Sequence, residues 1–322
     1  MDYLHDFDAE LAAVFAICEA QIGSYPAEFQ ADARRRLAKL NILHQDYNGN
    51  CLSQLLPFWL QPVFSVSPAI CRRISAANFF GFLYFLIQDA VMDTAPGEYK
   101  ADLLPLGNLF LLDFYGPYRK LFPDHPVFWS YFRKYVQEWA ESVSQERKGY
   151  WKPQRDPGLR DLEQLARKAA PLKITVAAVC LWGDCETPIE ALGQAIDATV
   201  ITFQLLDDWN DWREDLAIGN CSFLLSQVMR VCGITEFTAL EESHIQKAVY
   251  GYDLLTDIFA VAEKNLAFLH GAAMPQVPYL IQYHRHLNQT CRKILEDIQT
   301  EKNAVLQGGF FNWLYQQGKS QK

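Results

Sequence analysis

The sequence predicts an all-α protein that folds as one large helical bundle of about ten helices. Apolar residues recur at helical spacing along most of the chain, and no run of alternating β-branched residues predicts a strand. No linker, repeat or low-complexity segment divides residues 1–322, so we expect a single domain. A chain of 322 residues is also long enough to bury a large core without disulfides or a structural metal.

The individual helices are justified by their periodicity and by the breaks between them. Ser67 and Pro68 are an N-cap followed by a first-turn proline, and they begin a helix that runs to about Met92. Pro96-Gly97 interrupts the pattern after that helix, and a polar loop interrupts it again at residues 152–158. The remaining helices are predicted at residues 8–22, 27–43, 103–121, 127–147, 159–181, 189–216, 237–269 and 279–306.

The composition excludes several classes of function. A net charge of −9 argues against a nucleic-acid partner and against binding to an anionic membrane, since both attract Lys and Arg. The acidic N-terminus does not resemble a signal peptide, and the longest apolar stretch, residues 79–87, is too short for a membrane span. We therefore expect no stable membrane insertion. The eight Cys residues form no CxxC pair, which favours a cytoplasmic protein with reduced thiols.

Two clusters of Asp residues stand out because each follows an apolar run. Asp89 and Asp93 are four residues apart, so they share one face of a helix. Asp207, Asp211 and Asp215 repeat this interval farther along the chain. Neighbouring carboxylates repel one another unless a cation neutralises them, and Mg²⁺ binds one or two carboxylates together with substrate phosphates. The clusters therefore predict a magnesium site for a diphosphate, whose charge the metal would stabilise as it leaves.

Other interpretations of these residues remain open at this point. A carboxylate pair at a four-residue interval is also common on solvated helix faces. Asp208 lies off the shared face, so it is equally well a secondary acceptor or a surface acid. The chain is also rich in aromatic residues (14%), whose faces could stabilise a carbocation in a dry pocket or simply fill the core.

The acidic clusters resemble those of the class I isoprenoid synthases, which comprise trans-prenyl diphosphate synthases and class I terpene synthases. Residues 203–211, Phe-Gln-Leu-Leu-Asp-Asp-Trp-Asn-Asp, match the family's second acidic motif, FQxxDDxxD, in full. Lys173 and Thr175 are similar to the family's adjacent Lys-Thr pair, with one residue inserted. The first motif, usually DDxxD, is reduced to Asp89 and Asp93, with Ala at its second position.

The resemblance implies a bundle of the isoprenoid synthase type, whose central apolar active-site cavity binds a prenyl diphosphate and about three Mg²⁺ ions. The implied metal ligands are Asp89, Asp93, Asp207, Asp211 and Asp215. The implied diphosphate-binding residues are Arg160, Lys173, Arg285 and Arg292, with Arg167 and Lys168 as rivals of Arg160. The aromatic residues expected to line the substrate pocket are Phe79, Phe82, Phe85, Phe203 and Trp209.

The resemblance favours a class I terpene synthase, which ionises a linear prenyl diphosphate and guides the carbocation to a cyclic or rearranged product. The alternative is a prenyltransferase on the same fold, which elongates a chain, joins two prenyl units or prenylates another acceptor. Residues 94–100 lack the Arg-Arg pair of chain-elongating members, which weakens the case for elongation. A catalytically silent partner subunit of a prenyl synthase is a third interpretation, and a homodimer is common in this family.

Overall fold

The structure, a computed structural model, describes residues 2–43, 51–92, 100–147, 159–271 and 276–317. Side chains are described for the same residues except 146–147, 159–161, 305–308 and 310–317. Within these ranges the chain is all-α and contains no strand, which confirms the predicted fold class at that level.

Thirteen α-helices are present in the described part of the chain. They are α1 (Asp8–Ile22), α2 (Ala27–Lys39), α3 (Leu52–Phe64), α4 (Pro68–Met92), α5 (Leu103–Leu121), α6 (Pro126–Arg147), α7 (Leu159–Arg167), α8 (Leu172–Trp182), α9 (Ile189–Ile218), α10 (Phe223–Cys232), α11 (Glu242–Gln246), α12 (Leu254–Leu269) and α13 (Pro278–Gln317). Short 3₁₀ turns at His5–Phe7 and Phe237–Ala239 and a π-helical turn at Lys247–Gly251 complete the described elements.

Two of the predicted helices are divided in the structure. The helix predicted at 159–181 is interrupted between α7 and α8, where Pro171 precedes α8 and lacks the N–H that a continuous helix needs. The helix predicted at 237–269 is interrupted before α12, where Asp253 adopts a left-handed conformation with φ of 54°. Both predictions of a continuous helix were wrong, because apolar periodicity continues across a short break.

Two helices in the structure, α3 and α10, were not predicted from the sequence. Pro57 and Pro62 lie inside α3 and make its sequence look broken. This helix forms nevertheless because its residues from Leu52 to Leu60 are all buried, so tertiary contacts outweigh local preference. The other helix, α10, is only ten residues long and ends at Gly233, whose φ of 69° suits a glycine C-cap.

The chain groups into two compact units. The first unit comprises Met1–Trp139, Ala170–Ile196 and Ala272–Gln282. The second unit comprises Ala140–Ala169, Asp197–Gly271 and Tyr283–Lys322. That residues 1–322 form a single domain stays a prediction.

In the first unit, α4 is the central helix and contacts α1, α3, α5 and α8. Two glycines allow α4 and α5 to approach closely. A Cβ atom at Gly81 on α4 would lie 2.6 Å from the ring of Phe114 on α5. A Cβ atom at Gly107 on α5 would lie 3.2 Å from Ile87 on α4. A larger residue at position 81 would therefore require the Phe114 ring or the two helices to shift.

A neutral polar cluster is buried within the first unit. Asn78 donates hydrogen bonds to the carbonyl oxygen of Ser53 (2.7 Å) and to Oγ1 of Thr175 (2.9 Å). The hydroxyl of Tyr118 donates to Oδ1 of Asn78 at 2.8 Å. All four residues are buried, and we refer to them as the Asn78 cluster. Because buried polar groups need partners, this cluster links α3, α4, α5 and α8.

The second unit contains a comparable cluster around His284 on α13, formed by His284, Thr199, Thr202 and Asn265. The ring nitrogens of His284 lie 3.3 Å from Oγ1 of Thr199 and 3.4 Å from Oγ1 of Thr202. The Asn265 amide donates to Oγ1 of Thr202 at 3.1 Å. Burial lowers the pKa of His284 to about 4, so the ring is neutral at physiological pH. This His284 cluster links α9, α12 and α13 within the second unit.

One helix in the described part of the chain, α4, is long and apolar enough to cross a membrane, with a mean hydropathy of 1.4. In its most apolar stretch, 56% of the residues are buried, and the core helix of a soluble protein passes the same test. Length and composition therefore do not establish a membrane span, and the expected lack of membrane insertion stays a prediction.

Candidate functional site

A cavity of about 220 Å³ lies in the second unit, where α9 meets the segments that end α6 and α7 and begin α10. Among the described residues, its lining carries four carboxyl groups and one ammonium group, and we call it the acidic cavity. The lining residues are Ser142, Gln164, Leu165, Lys168, Gln204, Asp207, Asp208, Asp211, Asp215, Asn220, Ser222 and Phe223.

The four-residue interval along α9 brings Asp207, Asp211 and Asp215 to the cavity on one side of the helix, which we call the acidic face. With a rise of about 1.5 Å per residue, neighbouring members are about 6 Å apart along the helix axis. Among the described residues, no three His, Cys, Asp or Glu side chains converge on one point to form a metal site alone. The acidic face instead offers one or two carboxylates per ion, which fits Mg²⁺ that also binds water and phosphate oxygens.

Asp207 lies at the centre of the electrostatic interactions on the acidic face. Burial raises the pKa of Asp207, and the charges of Asp211 and Asp215 raise it further. A hydrogen bond from Nε2 of Gln204 at 3.3 Å and the positive charge of Lys168 act in the opposite direction. The net pKa shift is upward, and burial is its largest cause.

Asp208 also lines the acidic cavity, but it is only 5% exposed, so its interpretation as a surface acid is wrong. Its carboxylate accepts hydrogen bonds from the backbone N–H of Leu224 at 3.0 Å and from Nε2 of Gln204 at 3.2 Å. Burial raises the pKa of Asp208 to about 7, although these two hydrogen bonds oppose the rise. Because Gln204 also contacts Asp207, a single amide joins the two adjacent carboxyl groups.

Lys168, which follows α7, is the basic residue that lines the acidic cavity. It is exposed, and its charge lowers the pKa of Asp207. The sequence favoured Arg160 for binding diphosphate and named Lys168 as a rival. The side chain of Arg160 and residue Asp93 lie outside the described residues. Asp89 is half-buried near the end of α4 in the first unit.

Lys173 belongs to the first unit and is only 6% exposed. Its Nζ atom lies 2.8 Å from Oε2 of Glu138 and 5.0 Å from the centre of the Tyr135 ring. The protein thus supplies both an anion and an aromatic face for this ammonium group. Thr175, the other residue of the predicted pair, accepts a hydrogen bond in the Asn78 cluster. A role for Lys173 in binding diphosphate stays a prediction.

Arg285 and Arg292 are exposed residues on α13, and neither is among the side chains that line the acidic cavity. Arg292 forms an ion pair with Glu263 through two contacts of 2.6 and 3.0 Å. An exposed pair of this kind contributes little to stability, because solvent screens the two charges. Among the predicted basic residues and their rivals, the structure therefore places Lys168 beside the acidic face.

The predicted pocket-lining aromatic residues occupy several environments. Phe79 is fully buried, and its ring lies 4.8 Å from that of Phe15, so it fills the core of the first unit. Phe85 contacts Phe114 and Trp139 at ring separations of 6.0 and 4.7 Å. The other three residues are half-buried, namely Phe82, Phe203 and Trp209. None of the five is among the lining residues of the acidic cavity, and their role as pocket walls stays a prediction.

Several polar residues of the cavity were not identified by sequence reasoning. Nε2 of Gln164 donates to the carbonyl oxygen and to Oγ of Ser142, at 3.2 and 2.9 Å. Asn220 donates to Oδ1 of Asp215 at 2.7 Å from the turn after α9. Closeness to the acidic cluster was a usable signal for Asn220. No motif marks Gln164 or Ser142, because they reach the cavity from a distant part of the sequence.

A comparison of the chain with models of known protein families finds no match, and a comparison with curated proteins finds no match either. The resemblance of residues 203–211 to an isoprenoid synthase motif is therefore a resemblance of short motifs.

Proposed function

We propose that the chain is a Mg²⁺-dependent class I terpene synthase that ionises a linear prenyl diphosphate, cyclises or rearranges the carbocation and releases diphosphate. The observation that carries the proposal is the acidic face, where Asp207, Asp211 and Asp215 line one cavity that has one ammonium group in the described part of the chain. Carboxylates crowded in this way repel one another and favour the binding of cations. The full match of residues 203–211 to a diphosphate-binding motif selects Mg²⁺ as that cation.

Five residues of the acidic cavity have a part in this proposal. Asp207, Asp211 and Asp215 hold Mg²⁺, which when bound supplies positive charge that stabilises the departing diphosphate. Gln204 orients the carboxylate of Asp207 through its hydrogen bond of 3.3 Å. Lys168 contributes a positive charge to the binding of diphosphate, since an ammonium group acts as a point charge toward phosphate.

The finer assignment of the fold belongs to the same proposal. A bundle of the isoprenoid synthase type would add Asp89 and Asp93 as ligands from the first acidic cluster. Aromatic side chains, with Phe82 and Phe203 as candidates, would surround the carbocation. Their ring faces stabilise a cation by about 0.5–2 kcal/mol each and offer no nucleophile to quench it.

The direct test is to incubate the purified chain with Mg²⁺ and linear prenyl diphosphates of ten, fifteen, twenty and twenty-five carbons. Released diphosphate and the mass of the organic product are measured together. We expect at least one substrate to give an apolar hydrocarbon or alcohol with an unchanged number of carbons, and we expect a chelator to abolish the reaction. No turnover of any of these substrates, with or without a second prenyl substrate, would contradict the proposal.

Two acids on α9 provide a matched pair of variants for this assay. Asp211 and Glu214 are both exposed, but only Asp211 lines the acidic cavity. We expect Asp211→Asn to lower turnover by about a hundredfold, because a ligand of the charge-stabilising ion is lost. Glu214→Gln should leave turnover unchanged. Equal effects of the two substitutions would contradict the assignment of the acidic cavity as the catalytic site. A product heavier than one substrate chain would identify a prenyltransferase instead.

A further inference from the structure

The N-terminus of α10 is capped by a residue from another helix. Ser222 is the N-cap residue, because its carbonyl oxygen accepts the first helical hydrogen bond, from the N–H of Ser226 at 3.0 Å. A serine at this position ordinarily accepts a backbone N–H of the first turn through its own side chain. The side chain of Ser222 makes no such bond. Asp208 on α9 accepts the N–H of Leu224 in its place, at 3.0 Å.

The hydroxyl group of Ser222 is consequently left without a partner. Its Oγ atom is buried, the residue is 9% exposed, and no hydrogen-bond partner for this atom exists among the described residues. A buried hydroxyl without a partner is unfavourable, so native structures rarely retain one without a reason. Ser222 is also one of the residues that line the acidic cavity. A ligand bound in that cavity would lie close enough to offer the hydroxyl a partner.

We propose that Ser222 is a ligand-binding residue of the acidic cavity, whose hydroxyl donates a hydrogen bond to a phosphoryl oxygen of the bound diphosphate. This inference rests on the proposed function and adds to it a binding residue that lies outside both acidic clusters. Asp208 is a positioning residue in this arrangement. By capping α10, it releases the Ser222 hydroxyl from the capping role.

The chemistry of the cavity favours a phosphoryl oxygen as the acceptor. The amides of Gln164, Gln204 and Asn220 already donate to protein acceptors. Ionised carboxylates only accept hydrogen bonds, so the acidic face has none to donate to an oxyanion. The Ser222 hydroxyl at the N-terminus of α10 can donate a hydrogen bond to an oxyanion. The positive end of the helix dipole favours an anion at the same position.

The experiment measures the binding of inorganic pyrophosphate in the presence of Mg²⁺ by isothermal titration calorimetry. It compares the full-length chain with Ser222→Ala and with the control Ser226→Ala. Ser226 lies one turn farther along α10 and is also buried, but its hydroxyl donates to the carbonyl oxygen of Phe223 at 2.6 Å and does not line the cavity. We expect Ser222→Ala to bind pyrophosphate about tenfold more weakly, as for a lost hydrogen bond to a charged group. Ser226→Ala should bind it as the wild-type chain does.

A second measurement separates binding from helix capping. Without ligand, Ser222→Ala should unfold at the same urea concentration as the wild-type chain or at a higher one, because no capping bond is lost and an unpartnered buried hydroxyl is removed. When Asp208 is replaced by Ala, the Leu224 N–H loses its acceptor, and the side chain of the N-cap residue Ser222 can cap α10 instead. Adding Ser222→Ala there should lower the unfolding midpoint further. If Asp208→Ala does not fold, the pyrophosphate comparison alone decides.

Three outcomes overturn the inference, and they are distinguishable from one another. If the wild-type chain binds pyrophosphate with Mg²⁺ and Ser222→Ala binds it equally well, this inference fails while the proposed function stands. If Ser222→Ala, as a single substitution, lowers the urea midpoint of unfolding and also weakens pyrophosphate binding, Ser222 is structural. If the wild-type chain binds no pyrophosphate with Mg²⁺, both the inference and the proposed function fail.

Discussion

Two motifs that the same family resemblance singles out have opposite surroundings in the structure. Lys173 and Thr175 have partners from the protein itself, an ion pair with Glu138 and a hydrogen bond from Asn78. The acidic face on α9 lines a cavity where, counting the side chains that the structure describes, carboxyl groups outnumber ammonium groups four to one. Burial and like charges also raise the pKa of Asp207 there.

The difference between the two regions is informative because polar groups inside proteins are normally satisfied. A buried polar group with protein partners stabilises the fold and needs nothing further. A crowded set of carboxylates at a cavity reduces stability, and proteins keep such sets where a ligand compensates. The comparison therefore predicts that substitutions in the first region change stability, whereas substitutions in the second change binding and catalysis.

The largest expected effect is at the acidic face. Asp207→Asn should lower turnover by about a hundredfold, because one of the charges that hold Mg²⁺ is lost. The free energy of unfolding without Mg²⁺ should be unchanged or higher, because repulsion from Asp211 and Asp215 is relieved. Steady-state kinetics and urea denaturation measure the two quantities. A large loss of stability in this variant would contradict the expectation that the acidic face serves binding and catalysis and does not stabilise the fold.

The next effect concerns the Asn78 cluster. Asn78→Ala should lower the free energy of unfolding by about 2–4 kcal/mol, because the hydroxyls of Tyr118 and Thr175 lose a buried partner. The affinity of the folded protein for pyrophosphate and Mg²⁺ should not change. The matched variant is Asn220→Ala, at an exposed residue of the acidic cavity. It should lower the affinity for pyrophosphate and Mg²⁺ and leave the free energy of unfolding unchanged. Weakened pyrophosphate binding by a folded Asn78→Ala variant would argue against a purely structural cluster.

The His284 cluster also tests whether a buried polar cluster with protein partners contributes to stability, here with a group that can become charged. Burial lowers the pKa of His284 from 6.5 to about 4, so the unfolded chain binds the proton first as the pH falls. The stability contributed by the neutral ring is therefore complete above pH 6.5 and decreases toward pH 4. Between pH 7 and pH 5 the loss amounts to about 2 kcal/mol. Urea denaturation of the wild-type chain and of His284→Gln at both values measures it, and equal slopes with pH would refute the assignment.

The smallest effect is expected for the ion pair of Lys173 and Glu138. Lys173→Met and Glu138→Gln should each lower the free energy of unfolding by about 1–2 kcal/mol. The double variant should lose less than the sum, because the second substitution removes a group that has already lost its partner. Neither single variant should bind pyrophosphate more weakly. Weaker binding by Lys173→Met alone would instead support the diphosphate-binding role implied by the resemblance.

The fold was predictable where local pattern and tertiary environment agree. The predicted helix from Pro68 to Met92 is confirmed as α4, because a proline-marked start and a long apolar run have one local solution. The helix α3 was not predictable, because Pro57 and Pro62 oppose it locally and only burial stabilises it. The divided helices at Pro171 and Asp253 show the reverse case, in which a local break is hidden by continuous periodicity.

The candidate site was predictable only as far as it is carried by one helix. The interval between Asp207, Asp211 and Asp215 requires them to share a face of α9, since helical geometry sets that relation within the chain itself. No rule of helical geometry predicts that Ser222 and Asp208 act at the same site. Their roles depend on the approach of α10 to α9, which brings the Leu224 N–H to the Asp208 carboxylate.

The amino-acid sequence is sufficient for the helical class and for the alignment of the acidic face, because both follow from local periodicity along a single segment. Which polar residues find partners is decided by tertiary structure, because those partners come from segments distant in sequence. Glu138 satisfies Lys173 across 35 residues, and Asp208 takes over the capping of α10 across 16. Motif residues of the first unit therefore have partners from the protein itself, whereas those of the acidic face line a cavity in the second unit.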